Sequence, residues 1–227
     1  MIDGMAEDFC FKGHELTYYI ETFPVGPLSC NCTIIGNKVD KSALIIDPGG
    51  DANKILNVLN REGFENISVI HTHAHFDHFL ASGDIKAKTG ADLGLHKDDK
   101  VLWDHLEDQC RMFGMPYKPV PAPNVWLEHG QDLYIGKQKA GCALHTPGHS
   151  PGSMSFQFDA LKVLVAGDTL FQGGIGRTDL WGGDFSKIEH SITNIIFNLD
   201  ESYKVVTGHG PSTTIGSEIR TNPYVKL

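Results

Sequence analysis

At 227 residues the chain can build a full hydrophobic core, as one large domain or two small ones. An apolar fraction of 41%, charged residues at 21% and 25 glycines exclude a disordered or collagen-like chain and promise many loops. With 19 basic against 28 acidic side chains the formal net charge is −9, so the surface repels phosphate backbones and nucleic acid is excluded as a partner.

No apolar run approaches the ~18 residues of a membrane span. Asp3, Glu7, Asp8 and Lys12 stand where a secretory signal would be apolar, so the expectation is a soluble, cytoplasmic protein without a membrane partner. The five cysteines are odd in number, scattered and without a C-x-x-C pair, which suits reduced thiols. Cys30 and Cys32 lie in an alternating run from Ser29 to Gly36, where two thiols on one side of a strand are expected rather than a metal site. The excess is in histidine, with 12.

In chain order, residues 16–23 and 31–35 read as strands, and 43–46 as a short apolar strand ending in the turn Asp47-Pro48-Gly49-Gly50. A helix capped by Asp51 should follow, with Ile55, Leu56 and Leu59 at helical spacing and Gly63 stopping it before a buried strand at 67–70. Residues 79–88 read as a helix ending at Gly90 and 92–95 as a strand. A helix over 98–112 places Leu102, Leu106, Cys110 and Phe113 on one stripe, and the proline-rich 116–123 has no periodicity. Strands return at 143–145, 154–158 and 163–166, followed by a glycine-rich loop over 167–183. A helix over 185–199, with Phe185, Ile188, Ile192, Ile195 and Leu199 on one face, leads to a strand at 204–206. No linker or repeat breaks the chain, and both halves share a strand-rich layout suited to two sheets covered by helices.

The chemistry concentrates just after the 67–70 strand, in His71-Thr72-His73-Ala74-His75-Phe76-Asp77-His78. Two apart, His73 and His75 point to the same side of an extended segment, while Asp77 and His78 fall where the next helix begins, so one loop can serve two metals. Imidazole and carboxylate suit Zn²⁺, Fe²⁺ or Mn²⁺, and paired metals ~3.5–4 Å apart make a recurring hydrolytic site. His149, Asp168 and His209 each follow an apolar strand by a few residues, and residues past strand ends collect along one rim of a layered α/β structure. Glycine beside each allows tight turns near the metals. His14, His96, His105, His129 and His190 read as surface or hydrogen-bonded core residues, and His71 and His145, one step early, as supports behind the ligands. A purely structural metal is disfavoured because such sites close four ligands around one ion.

With these motifs, together with Thr146-Pro147-Gly148-His149-Ser150-Pro151-Gly152-Ser153, Gly167-Asp168-Thr169-Leu170-Phe171 and Gly208-His209-Gly210-Pro211, the chain resembles the metallo-β-lactamase-fold hydrolases. It is most similar to their small glyoxalase II-like thioesterases, the hydroxyacylglutathione hydrolase-like group, from about Tyr18 to Asn222-Pro223-Tyr224. The resemblance implies an α/β fold, a four-layer αβ/βα sandwich, as a single domain over residues 1–227. It implies that His73, His75 and His149 hold one divalent metal, that Asp77, His78 and His209 hold another, and that Asp168 bridges them, with zinc expected first and iron or manganese as alternatives. Asp47 matches a strand-end aspartate of the family and either orients the histidine loop or caps a turn.

Full-length glyoxalase II enzymes add a C-terminal helical domain and a tyrosine that grip glutathione, and the resemblance implies a chain without either. Arg177, in Gly174-Ile175-Gly176-Arg177-Thr178-Asp179, falls where those enzymes carry a basic substrate-binding residue, and a salt bridge to Asp179 is its simpler reading. Met112, Phe113, Met115 and Tyr117 could wall an apolar pocket, with core packing the simpler reading for Met112 and Phe113. The implied reaction is attack of a metal-bound hydroxide on a small-molecule thioester such as S-lactoylglutathione, with Asp77 the only acid in view. A mono-iron persulfide dioxygenase of the same fold, using His75, His149 and Asp168, is the alternative. β-Lactam cleavage is disfavoured because the familiar enzymes of that type place cysteine where Asp168 stands. A non-catalytic metal-binding module is disfavoured because every ligand is present.

Overall fold

The computed structural model describes the backbone of β1 (Ala6–Cys10) and residues 17–227; His14 and the Cys10 side chain lie outside the described residues. A seven-stranded sheet runs β1, β2 (Thr17–Val25), β3 (Cys30–Asn37), β4 (Ser42–Ile46), β5 (Asn66–Ile70), β6 (Asp92–His96) and β7 (Val125–Leu127). Its first four strands form an antiparallel meander, and β4 to β7 are parallel because helices cross between them. The crossovers are α1 (Ala52–Glu62), α2 (Ser82–Thr89), and the pair α3 (Lys100–Asp104) and α4 (Leu106–Met112).

The second sheet holds six strands, in the order β15 (Thr213–Thr214), β14 (Lys204–Thr207), β11 (Val163–Gly167), β10 (Met154–Phe158), β9 (Gln138–His145) and β8 (Asp132–Ile135). Only β11 and β14 pair in parallel, joined through α5 (Phe185–Ser191). The two sheets face each other across Ile35, Leu44, Ile46 and Ile70 on one side and Met154, Phe156, Phe158 and Val165 on the other. Each such burial contributes about 1.5–3 kcal/mol, and strict alternation along the strands sends the remaining apolar residues to the outer faces. There Ile45, Val69 and Leu93 pack under Ile55, Leu59, Ile85 and Leu106, and Leu164 and Val205 pack under Ile188, Ile192 and Ile215. The result is the four-layer αβ/βα arrangement, and no helix among the described residues is long and apolar enough to cross a membrane.

Several local expectations need correction. Asp51 sits at φ 49° and does not cap α1; its carboxylate instead accepts from the Gly26 amide at 2.9 Å, tying the β2–β3 turn to the helix start. Gly63 does end α1, in the left-handed conformation. The helix expected from residue 79 begins at Ser82, because Phe76–His78 form a separate 3₁₀ turn that aims the histidine loop. The helix expected over 98–112 breaks at His105, whose amide turns back to Leu102, and Phe113 leaves the buried stripe to become 49% exposed. The glycine-rich loop contains a hairpin, β12 (Leu170–Phe171) with β13 (Gly174–Ile175). Beyond α5 the helix widens over Ile192–Ile196, where the Phe197 amide reaches the Ile192 carbonyl, and Phe185 is exposed rather than buried. Strands β7, β8 and β15 and helix α6 (Ile215–Thr221) have no counterpart in the sequence reading, being short and weakly periodic.

Candidate metal centre

At one end of the sandwich the two sheets are stitched together. The Asn31 amide donates to the Gly208 carbonyl at 2.8 Å, the Met154 amide to the Thr72 carbonyl at 2.7 Å, and Cys30 bridges His209. The ends of β4, β5, β9, β11 and β14 therefore share a rim, carrying Asp47, the histidine loop, His149, Asp168 and His209 respectively. Glycines permit the crowding: Gly167 turns at φ +52° against Thr72, and a Cβ at Gly208 would overlap the Asp168 carboxylate.

The structure brings all seven candidate ligands into two adjoining groups. In the first, His73 Nε2 lies 3.0 Å from His75 Nδ1, which lies 2.9 Å from His149 Nε2. In the second, Asp77 Oδ2 lies 3.1 Å from His209 Nε2 and 3.7 Å from His78 Nε2. Asp168 stands between them: one oxygen is 3.5 Å from His149 Nε2, and the other is 3.5 Å from His78 Nε2 and 3.7 Å from His209 Nε2.

Proton bookkeeping shows which nitrogens are free. His149 Nδ1 is 2.8 Å from the Arg177 carbonyl and His209 Nδ1 is 3.0 Å from the Leu28 carbonyl, so in each ring Nδ1 donates and Nε2 is the atom turned towards the other candidate ligands. His78 Nδ1 faces Asp47 Oδ2 at 3.0 Å. Thr72 Oγ1 donates to Asp47 Oδ2 at 2.6 Å and can then accept from His73 Nδ1 at 3.0 Å. Asp47 Oδ1 takes the Thr72 amide at 2.7 Å, so this carboxylate orients the histidine loop and is not spent on capping its own turn, which it enters at φ 53°. Among the described residues, the buried side-chain nitrogens and oxygens left without a partner are His78 Nε2 and Asp168 Oδ1. A buried ring nitrogen and a buried carboxylate oxygen, 3.5 Å apart and without hydrogen-bond partners, are a pair that a bound cation would satisfy.

The electrostatics split the same way. Burial, then the neighbouring imidazoles, hold His73 well below the usual histidine range and push His75 down to about 3. Burial opposes charge on His78 too, but Cys30, Asp77, Asp47 and Asp168 around it raise its pKa well above normal. Despite burial, His78 and His209 keep Asp77 below the usual carboxylate range, so Asp77 is ionised and a poor proton donor.

The comparisons with known proteins follow this geometry. A model of the metallo-beta-lactamase superfamily matches residues 25–211. The chain belongs to that superfamily. Within it, the chain is 36% identical over 208 residues to the hydroxyacylglutathione hydrolase GloC of Haemophilus influenzae, covering 91% of this chain and 97% of the relative. It is 36% identical over 204 residues to a probable metallo-hydrolase, YqgX, of Bacillus subtilis, covering 89% of this chain and 95% of that one. Among solved structures, BLEG-1, titled a B3 metallo-beta-lactamase, aligns with TM-score 0.84 at 38% identity over 92% of this chain and 100% of its own. TTHA1623 in a di-iron-bound form aligns with TM-score 0.80 at 32% identity over 89% and 98%. The protein is accordingly a metallo-hydrolase of the metallo-beta-lactamase superfamily, with His/Asp clusters suited to divalent metals.

Other residues of this superfamily member sort clearly. His71 is fully buried, bonded to the Gly94 carbonyl and to Ser82 Oγ, and packs edge-on to Trp103. His145 lies stacked on His96 and bonded to the Pro151 carbonyl, while His105, His129 and His190 make local bonds away from the seven. Cys30 and Cys32 share one core-facing side of β3, and Cys30 Sγ reaches His78 Nδ1 at 3.5 Å. The Arg177 guanidinium is forked onto Asp179 by two 2.7 Å bonds at the surface, and only its carbonyl serves the site. Met112 and Phe113 are not core residues: they are 65% and 49% exposed, Phe113 lying tilted against Phe76 beside His75. Sequence reasoning missed Asp99, in the 3₁₀ turn just before α3, and Gln109 of α4. Asp99 is wholly buried against the ligand loops, and Gln109 accepts from the Phe76 amide and donates to the Ala74 carbonyl. A polar residue on the apolar stripe of a helix was the available signal for Gln109.

Proposed function

We propose that the protein hydrolyses small-molecule thioesters, S-lactoylglutathione among them, with two divalent metals, zinc first and iron as the alternative. His73, His75 and His149 would hold one ion and Asp77, His78 and His209 the other, with Asp168 shared. Metals bound there would lower the pKa of a water from 15.7 to about 7 and stabilise charge on a carbonyl oxygen. The chain's own residues set the ligands' tautomers and shape the mouth.

The observation that carries this reading is the pair of orphaned atoms, His78 Nε2 and Asp168 Oδ1. A single ion on His75, His149 and Asp168, as in the persulfide dioxygenase alternative, would leave His78 Nε2 without a partner. Asp77, held ionised, can accept a proton or orient a water but gives little acid help to a leaving group. That favours a thiolate, whose parent thiol has a pKa of ~8.5, over an amine that must be protonated to depart. The name of the Haemophilus influenzae relative, a hydroxyacylglutathione hydrolase, agrees with a thioester. The half-exposed Phe113, its ring tilted against Phe76 with centroids 5.1 Å apart, offers an apolar wall beside the site, and the paired Arg177 offers little free charge, so several thioesters should be accepted. We also place the protein in the cytoplasm, on its free cysteines, with no nucleic acid or membrane partner.

Steady-state kinetics of the zinc- and iron-loaded protein on S-lactoylglutathione, on a thioester of a shorter thiol, on glutathione persulfide with oxygen, and on a β-lactam test this reading. Cleavage of both thioesters is expected. Sulfite formation from the persulfide without thioester cleavage, or β-lactam opening alone, would overturn it.

A further inference from the structure

Two buried carboxylates stand behind the candidate metal ligands, and they serve different loops. Asp47 reaches Thr72 and His78. Asp99 is fully buried at the start of α3, a position where aspartate ordinarily caps the helix, yet its side chain makes no capping bond. Its oxygens are directed outward. Oδ2 accepts the Ala74 amide at 2.9 Å and the Ser150 hydroxyl at 2.7 Å, and Oδ1 accepts the Gly152 amide at 2.5 Å. Ala74 lies between His73 and His75, and Ser150 follows His149. One carboxylate therefore joins the two loops that carry the three histidines of the first group.

The packing leaves no slack in this joint. A Cβ at Gly152 would lie 2.7 Å from the Asp99 nitrogen, so the 147–153 loop is seated directly on the residue. Ser153 Oγ takes the Ser150 amide at 3.0 Å and contacts the Ser150 hydroxyl, which is thereby aimed at Asp99. Gln109 fixes the other side of the histidine loop, through the Ala74 carbonyl at 3.0 Å and the Phe76 amide at 3.1 Å. Burial raises the pKa of Asp99, opposed by the Ser150 hydroxyl and the two amides, and those amides are donors that only an acceptor can satisfy.

We propose that Asp99 is a positioning residue that clamps the His73–His75 loop to the His149 loop and so sets the metal affinity of the three-histidine group, without touching the Asp77, His78 and His209 group. The proposal rests on the two-metal reading above. Outer residues that orient ligands typically change metal affinity 10–100-fold, and here the change should fall on one ion alone. Asp99→Asn keeps the shape but turns an NH₂ group towards N–H and O–H donors, so at least one of the three loses its partner.

The test is zinc affinity by competition with a chromophoric chelator, in two backgrounds that each keep one group: His209→Ala for the three-histidine group and His149→Ala for the other. In the His209→Ala background, Asp99→Asn should weaken zinc about 10–100-fold. In the His149→Ala background the affinity should stay within about twofold, because Asp99 bonds to none of Asp77, His78 and His209. Equal losses in both backgrounds, or no loss in the first, overturn the proposal. Should Asp99→Asn not fold, Ser150→Ala removes one donor only, and a smaller loss confined to the first background is required. If the wild type binds a single ion, the two-metal reading fails separately, and the clamp is judged on that ion: loss of affinity in Asp99→Asn supports it and unchanged affinity overturns it.

Discussion

The two halves of the candidate metal site use the same ligand type in opposite surroundings. His73, His75 and His149 crowd together with one carboxylate oxygen of Asp168 in reach, and burial with mutual repulsion keeps His73 and His75 neutral. His78 is as deeply buried, but Asp47, Asp77 and Asp168 surround it, and in the absence of metal it holds a proton well above the ordinary histidine range. Identity of the side chain therefore does not fix its behaviour; the count of neighbouring carboxylates does. His73 and His75 are ready to receive a cation without losing a proton, whereas His78 must release one to do so.

The largest effect expected is at the residue the halves share. Asp168→Ala should remove hydrolysis down to the level of metal-free protein, a loss beyond the ~10–100-fold typical of residues that only orient ligands, while circular dichroism and the unfolding transition stay close to wild type because the core lies elsewhere. Retention of two tightly held ions in this variant would separate the halves and break the comparison.

Asp47→Asn is the mirror of the clamp on the first half. It removes the acceptor for His78 Nδ1 and should weaken zinc in the second half about 10–100-fold, measured by chelator competition in the His149→Ala background. Because Asp47 also holds Thr72, and Thr72 Oγ1 touches His73, a smaller loss in the first half is expected as well.

Acid should then take the halves apart in order. A histidine whose metal-free pKa is raised binds its proton into neutral pH, so the apparent metal affinity of its site falls early as pH drops; one held near 3 does not compete until far lower. Zinc release followed by dialysis against buffers from pH 8 to 4 should show two steps, the ion near His78 and His209 leaving first. A single step, or the reverse order, would contradict the contrast.

The smallest effect belongs to Arg177. Its guanidinium is occupied by Asp179 at the surface, so Arg177→Ala should change KM for an anionic thioester by less than about threefold and leave kcat alone, because the Arg177 carbonyl that holds His149 is retained. A large kcat loss would show that the fork with Asp179 opens during turnover.

Much of the site was legible because its logic is local. His73, His75, Asp77 and His78 sit on one loop, their spacing fixes which way each points, and His149, Asp168 and His209 follow apolar strands that end on one rim. The sandwich was legible from alternating and continuous apolar runs. What the sequence concealed depends on long-range contacts. In the sequence Asp99 is one acidic residue at the start of an expected helix, with nothing to show the 147–153 loop lying on it, and Gln109 is one polar residue in the same helix. Phe113 follows the apolar stripe of its helix but turns outward once the helix breaks at His105. Strands β7 and β8 are too short to show a period of two, and Asp51 reads as a cap because its pairing with Gly26 spans 25 residues.

Two cations are expected to occupy the site with Asp168 between them, and anomalous diffraction from zinc-loaded crystals would locate them. Two peaks are expected about 3.5–4 Å apart, one within bonding distance of His73, His75 and His149 and the other of Asp77, His78 and His209, each touching one oxygen of Asp168. A single peak bound by His75, His149 and Asp168, with His78 Nε2 left unpartnered, would contradict that expectation.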